Sequence, residues 1–521
     1  FYIQKVKRKN QCNQRNHLIL CRKKSATIIR YNSFLLSAFC STAFLLSAFR
    51  FFYYTVFKKP MSEQSRRKFI KHIGSTAALL GIGQLAALGK EQEHVQILHP
   101  EKKVSPNDKI RLACIGMGIM GHGDVLTALK VPGVEFVAAA DLYDGHLTHV
   151  KEVYGPQIYT TRDYREILKR KDIDAVIIAT PDLWHDTISI AAMEAGKAVY
   201  CEKPMVQQID EGHKVIAAQK RTKAVFQVGS QRIHTVALAE ERRRYLAGEI
   251  GQLNVVEARM DRHDALGAWQ YSIPPDASPA TVDFDTFLKD TAKLPFDPVR
   301  FFRWRNYRAY GTGIPGDLFV HLISGLHFIT GSLGPTSIYA SGNLVQWKDG
   351  RDVPDVVVAI FNYPETKEHP AFQMTLRVNF ADGSGGGEYT RLIGTEGVIE
   401  LGWNDFKIKK HKLPEAPGYG GLDTFNTFPK AQQDLFVKNY DAKWPADKRK
   451  ATVSSSAFAA PNGYDDRLDH FTNFFESMRT GKQVVEDAVF GLRAAGPALL
   501  TNESYFSKKL INWNPEEMKI V

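Results

Sequence analysis

Six consecutive residues, Gly116-Met117-Gly118-Ile119-Met120-Gly121, carry the spacing G-x-G-x-x-G. Glycines so placed allow a tight turn and let backbone N–H groups approach a pyrophosphate at a helix N-terminus. The spacing alone is weak, but its context is specific. The run follows the apolar segment 110–115 and opens a helical pattern reaching about Lys130, and an acid, Asp141, stands 20 residues beyond Gly121. Asp141 would accept hydrogen bonds from adenosine ribose hydroxyls and repel a 2′-phosphate. The next residues, Leu142, Tyr143 and Asp144, supply no arginine to offset it. The chemistry indicated is binding of NAD in preference to NADP.

Two more clusters of polar residues end apolar runs. One is Thr180-Pro181-Asp182-Leu183-Trp184-His185, the other Glu202-Lys203-Pro204, and Gln231 follows a third run. An open α/β sheet collects its ligand outside the carboxyl ends of its strands. Thr180, Pro181, Trp184, His185, Glu202, Lys203 and Gln231 are therefore candidate neighbours of the cofactor. Further on, a helix beginning near Gly313 is apolar on nearly every side, so it is read as buried. Charged groups there are costly unless paired. Asp317 and His321 are four apart and share a face.

With these motifs the chain resembles the glucose–fructose oxidoreductase/inositol dehydrogenase (Gfo/Idh/MocA) family over residues 108–515. The Glu202-Lys203-Pro204 triplet is the most specific mark, and Lys203 matches the family's active-site lysine. The Asp-x-x-x-His spacing of Asp317 and His321 matches its catalytic pair. The resemblance implies oxidation of a sugar or polyol hydroxyl by NAD. His321, with a reference pKa of ~6.5, would take the hydroxyl proton. Asp317 would orient the imidazole and favour its protonated form, and partial burial would push Lys203 below its reference pKa of ~10.4. Arg232, Arg262, His263, Trp304 and Tyr310 are candidate substrate contacts, since aromatic faces and forked donors suit sugars. Some relatives are NAD-dependent glycosidases resembling α-N-acetylgalactosaminidases, which oxidise, eliminate, hydrate and reduce, so a glycoside substrate is the alternative reading. A third is a non-catalytic NAD-containing sugar-binding protein. A homo-oligomer is expected, and no zinc-type Cys/His spacing suggests a metal.

The elements that must position these groups alternate in the first half. Strands are expected at 110–115, 134–140, 175–179, 198–201 and 224–228, with helices at 163–171, 186–195 and 210–221 between them. That alternation implies a parallel, doubly wound sheet. Beyond residue 230 the strands read as antiparallel and mixed, at 253–260, 337–345, 356–363, 372–380, 389–393 and 398–401. Two amphipathic helices, 465–479 and 486–507, close the chain. The fold class is α/β: an N-terminal Rossmann dinucleotide-binding domain (110–230) and a C-terminal α+β domain with a mainly antiparallel open sheet (231–515). The Pro- and Lys-rich stretch 409–460 reads as an irregular insertion near the substrate mouth.

The whole chain of 521 residues has a formal net charge of +12. Residues 1–60 hold 12 Lys/Arg and no acid, so the rest carries 56 charges of each sign. A nucleic-acid surface is not supported. Residues 1–60, which lack methionine, are read as an over-extended or non-native leader. From Met61, Ser65-Arg66-Arg67-Lys68-Phe69-Ile70 and the mild apolar stretch 73–88 resemble a twin-arginine export signal over 61–90, followed by a linker over 91–109. The expectations are a partnership with the twin-arginine machinery, a periplasmic location, no stable membrane anchor, and a cofactor that travels with the folded protein.

Overall fold

The computed structural model describes residues 109–521. The leader, the twin-arginine segment and all of the linker before Lys109 lie outside the described residues.

Strands β1 (Ile110–Ile115), β2 (Val134–Ala140), β3 (Tyr159–Thr161), β4 (Ala175–Ile178), β5 (Ala198–Cys201) and β6 (Phe226–Val228) form a parallel sheet in the order 3-2-1-4-5-6. The connecting helices are α1 (Ile119–Ala128), α2 (Asp144–Tyr154), α3 (Tyr164–Lys169), α4 (His185–Glu194) and α5 (Ile209–Thr222). Strands buried on both faces need apolar side chains at every position, and these have them. Leu112, Cys114, Ile177 and Tyr200 face one core, while Ala113, Ile115, Ile178 and Cys201 face the other. The two cysteines are free thiols in those cores.

After α6 (Val236–Leu246) comes β7 (Leu253–Asp261), then the long segment 262–319, then α7 (Val320–Thr330). Strands β8 (Ser337–Asn343), β9 (Val356–Tyr363), β10 (Phe372–Asn379), β11 (Gly387–Gly394), β12 (Gly397–Leu401) and β13 (Asp405–Lys412) follow. Then come α8 (Lys430–Lys443), β14 (Thr452–Ala459), α9 (Asp466–Thr480), α10 (Ala488–Ser507), β15 (Ile511–Asn514) and β16 (Lys519–Ile520). The second sheet runs 14-13-12-11-7-10-9-8-15-16. Its neighbours are antiparallel except β7 and β10, which pair in parallel with Val256 opposite Met374. Strand β10 alternates strictly: Phe372, Met374, Leu376 and Val378 are buried and the residues between them are not. One face packs on the core and the other, with Tyr339, Val358 and Ile360, stays open.

Three departures from the expected elements have physical reasons. Strand β3 is too short, at three residues, to leave a pattern. The stretch read as irregular contains β13 and β14, which extend the sheet; its polar residues mark an edge, and none of it reaches the cleft described below. The segment expected to be one regular helix around Asp317 begins with a π-helical turn, Pro315–Phe319.

Candidate active site

A cavity of about 400 Å³ opens where the carboxyl ends of β1, β2 and β4 meet the segment 262–321. Gly116, Gly118, Ile119, Met120, Asp141, Thr180, Pro181, Trp184 and Lys203 line it from the parallel sheet, and Arg262, Trp304, Asp317 and His321 from the second half. Neither Met117 nor Gly121 lines it, yet both shape it. The Met117 backbone N–H donates to Asp141 Oδ2 at 2.7 Å, and a Cβ on Gly121 would lie 1.9 Å from the Gly116 carbonyl oxygen.

The turn fits a dinucleotide on its own geometry. Gly116 has φ +92°, and a Cβ there would meet the Ala179 carbonyl oxygen at 2.6 Å. A Cβ on Gly118 would meet nothing within 4 Å. Helix α1 has neither a side-chain cap nor an acidic residue in its first turn. Its free N–H groups therefore suit a pyrophosphate. Gly116→Ala should cost about 1–3 kcal/mol in backbone strain, a loss of roughly ten- to hundredfold in NAD affinity where the strain falls on the bound state. Calorimetric titration of the variant checks this; unchanged affinity would mean that the turn does not hold the cofactor.

Asp141 does more than face a ribose. Its Oδ1 accepts from the Tyr143 N–H at 2.9 Å, and its Oδ2 lies 3.1 Å from His146 Nδ1. Burial would raise the Asp141 carboxyl, but His146 and the two backbone donors bring it below the ordinary carboxylate value. The reciprocal holds for His146, which burial would lower and Asp141 raises. Arg162 reaches the same end of the cleft, although its Nε and Nη2 donate to Asp144 at 2.7 and 2.6 Å, and Nη2 also to the Ala280 carbonyl at 2.8 Å. His146 and Arg162 escaped the sequence reading because only the fold brings them beside Asp141.

At the other end the Asp–His expectation is corrected. Asp317 does not orient His321. Its Oδ1 accepts from Lys203 Nζ at 2.8 Å and lies 3.3 Å from Arg305 Nε, while Lys203 also donates to the Asp317 carbonyl oxygen at 3.0 Å. The π-helical turn changes the angular step between residues 317 and 321, so four-residue spacing no longer stacks the two side chains. Neither ring nitrogen of His321 has a hydrogen-bond partner among the described residues, and Nδ1 is buried. Burial, then the charge of Lys203, pushes the imidazole down to about 3, against the pull of Asp317. The histidine is neutral, contrary to the protonated form expected. Burial would raise the Asp317 carboxyl, but Lys203 and Arg305 hold it well below the usual range.

The turn itself is pinned to the parallel sheet. Asp182, past the end of β4, accepts from the Thr312 N–H at 3.0 Å and its hydroxyl at 2.7 Å. A Cβ on Gly316 would lie 2.0 Å from the Thr312 hydroxyl oxygen. From α10, Asn502 donates to the Thr312 carbonyl at 2.7 Å.

Several candidates lie elsewhere. The ring nitrogens of His185 face the carbonyl oxygens of Pro204 and Thr180, at 2.7 and 2.9 Å. Only the imidazolium can donate to both. Burial opposes that charge, but Cys201 and Asp182 outweigh it and bring the pKa to about 10. His185 is thus a clip between the two loops rather than a cofactor contact. Glu202 and Gln231 are buried behind the cleft and bonded to each other at 2.8 Å. Arg232 bonds Glu388 and the Gly402 carbonyl, both at 2.8 Å, and ties α6's approach to the second sheet. Tyr310 is buried against Phe287, and His263 is exposed outside the cleft. Arg305 was missed: it stacks over Trp304 with its guanidinium carbon 4.2 Å from the ring centroid. Only its adjacency to Trp304 could have suggested it.

Among the described residues no helix is long and apolar enough to cross a membrane, and no three His, Cys, Asp or Glu side chains converge as metal ligands.

Known proteins share parts of this sequence and its fold. A model described as an oxidoreductase family with an NAD-binding Rossmann fold matches residues 110–230, and one described as the Gfo/Idh/MocA C-terminal domain matches residues 281–400. The scyllo-inositol 2-dehydrogenase (NAD(+)) of Bacillus subtilis (strain 168) is 34% identical over 145 residues, 28% of this chain and 42% of that protein. A glycosyl hydrolase family 109 protein of Shewanella sp. (strain W3-18-1) is 31% identical over 179 residues, 31% of this chain and 38% of that protein. The chain thus matches less than half the length of these relatives. A solved structure of levoglucosan dehydrogenase, in complex with NADH and levoglucosan, aligns over 78% of this chain and 99% of its own with a TM-score of 0.55. At 18% identity, that likeness is one of fold.

Proposed function

Since the chain belongs to the Gfo/Idh/MocA oxidoreductase family, we propose that it binds NAD and oxidises a hydroxyl of a sugar or polyol. The observation that carries this reading is the meeting of Lys203, Asp317 and His321 in one cavity with the glycine turn. Bound NAD would supply the hydride acceptor. Asp317 fixes Lys203 by two of its three donors, which leaves the third for the substrate oxygen. The neutral imidazole of His321 takes the hydroxyl proton as general base. The Asp317 carboxylate stays ionised throughout and holds the lysine in place. The test is a screen of sugars and polyols for reduction of added or resident NAD; no substrate-dependent reduction across the screen would count against the reading.

A second reading has its own support, the likeness to glycosyl hydrolase family 109 proteins. Cleavage of an aryl glycoside with no net change in bound cofactor would favour it. The Arg66-Arg67 motif supports export of the folded protein and, with it, a cofactor that stays bound between turnovers. Denaturing protein purified from the cell envelope without added nucleotide should then release near-stoichiometric NAD(H); negligible release would remove the retention proposal.

Asp141 is expected to make NADP the weaker ligand, to a degree set by pH. The folded-state pKa of His146 lies above the ordinary 6.5. Below its folded-state pKa the imidazolium offsets Asp141, and above it that offset is lost, with Arg162 at this end already paired with Asp144. The ratio of NAD to NADP affinity should therefore rise as pH passes above the ordinary histidine value of 6.5. Titrating the apo-protein with each nucleotide checks it, and a flat ratio would sink the role of this pair.

A further inference from the structure

The reacting end of the cleft is out of charge balance. Lys203, Arg262 and Arg305 line it as cations, and Asp317 is the single carboxylate lining it with them; Asp182 and Glu202, behind the wall, also act on Arg305 and Lys203, but both of those acids face the charge of His185 as well. His321 is neutral and adds nothing. Asp317 is already engaged by Lys203 and by Nε of Arg305. The two Nη groups of Arg305 have no hydrogen-bond partner among the described residues, while the ring of Trp304 fixes the plane of the guanidinium. Arg262 donates from Nη1 to the Gly267 carbonyl at 2.8 Å and has no carboxylate within ion-pair distance among the described residues. It lies close enough to Asp317 and His321 to lower the proton affinity of both. Asp141, the other acid in the cavity wall, is matched by His146, and Arg162, the cation beside them, is paired with Asp144. The surplus positive charge thus gathers around Asp317 and His321, not at the α1 N-terminus where a pyrophosphate would sit.

We infer that the substrate is a sugar acid, whose carboxylate is held by the free donors of Arg262 and Arg305 while its hydroxyl meets Lys203 and His321. A planar guanidinium fork matches a carboxylate in shape as well as charge. The faces of Trp304 and Tyr271, which line the same wall, suit the apolar side of a sugar ring. The lowered proton affinity of His321 points the same way, since an anion among these cations would restore part of its basicity when substrate enters. This inference rests on the proposed oxidation of a hydroxyl and narrows its substrate class.

The test uses the NAD-loaded protein with D-glucuronate, D-galacturonate, D-gluconate, the matching neutral sugars, the methyl esters of the uronates, and glucose 6-phosphate. Turnover is measured as kcat/KM, and binding separately by equilibrium dialysis. At least one acid should exceed its neutral sugar and its ester by tenfold or more in kcat/KM. Arg262→Gln should reduce that ratio at least tenfold, and Arg262→Lys should restore part of it. Neutral sugars, esters or the phosphate performing as well as the acids would overturn the inference while leaving the oxidation intact. Acids that bind with Arg262-dependent affinity and are never oxidised would support it while sinking the oxidation. Absence of saturable binding by every acid would overturn it.

Discussion

Replacing His321 by alanine, or Lys203 by alanine, is expected to lower turnover by ~10²–10⁴-fold, the usual contribution of a positioned acid–base group. NAD affinity should change little, because neither side chain belongs to the glycine turn or to Asp141. The two variants should differ in their pH profiles. In the wild type the base is a histidine lowered to about 3, so the acid limb of kcat/KM should not centre on the ordinary 6.5 but fall well below it. In the Lys203 variant the leading charge that depresses His321 is gone, and the acid limb should move up. Near-normal turnover in either variant would remove the role given to that residue. An acid limb at 6.5 in the wild type would mean that another group takes the proton.

The second large effect lies away from the cleft. Glu241, on α6, is fully buried, and neither carboxyl oxygen has a hydrogen-bond partner among the described residues. Burial raises its pKa to about 8, with only Arg232 opposing. A group whose folded pKa is raised stabilises the fold fully below its unfolded value, near 4.5, and loses that contribution as pH rises toward about 8. Glu241→Gln carries no ionisable proton. The variant and the wild type should therefore unfold at similar urea concentrations at pH 5. At pH 8 the variant should be the more stable by on the order of 4 kcal/mol. Equal stability at both pH values would show that Glu241 finds a compensating partner.

The parallel sheet was legible because its determinants are local: five apolar runs, the glycine turn and the acid after β2 follow one another at regular intervals. The identity of the lysine and of the Asp317–His321 segment was legible from their motifs. What Asp317 bonds was not, since a helical wheel assumes 3.6 residues per turn and Pro315–Phe319 does not obey it. Long-range neighbours were equally hidden. Arg305 comes to the cleft from a segment with little regular structure, and His185 looks like a ligand by position while the fold uses both its nitrogens. Strand β13 carried a readable alternation in Phe406 and Ile408, but four lysines in eight residues masked it. Helix α8 buries none of its residues, so it offered no face to recognise.

One packing detail bears on how the protein is made. The face of the parallel sheet formed by Leu112, Cys114, Ile177 and Tyr200 is completed by Phe471, Phe474 and Phe475 of α9, with Phe471 stacked on Tyr200 at 4.4 Å. These phenylalanines leave the ribosome long after the strands they cover. Until then the nascent chain presents part of an apolar sheet face to its surroundings, the kind of surface that chaperones hold. Completion of the dinucleotide half therefore waits until the second-sheet strands β7 to β14 have been made, although its motifs are among the first described residues to emerge. A messenger truncated anywhere before α9 should yield not a smaller nucleotide-binding module but an aggregation-prone fragment.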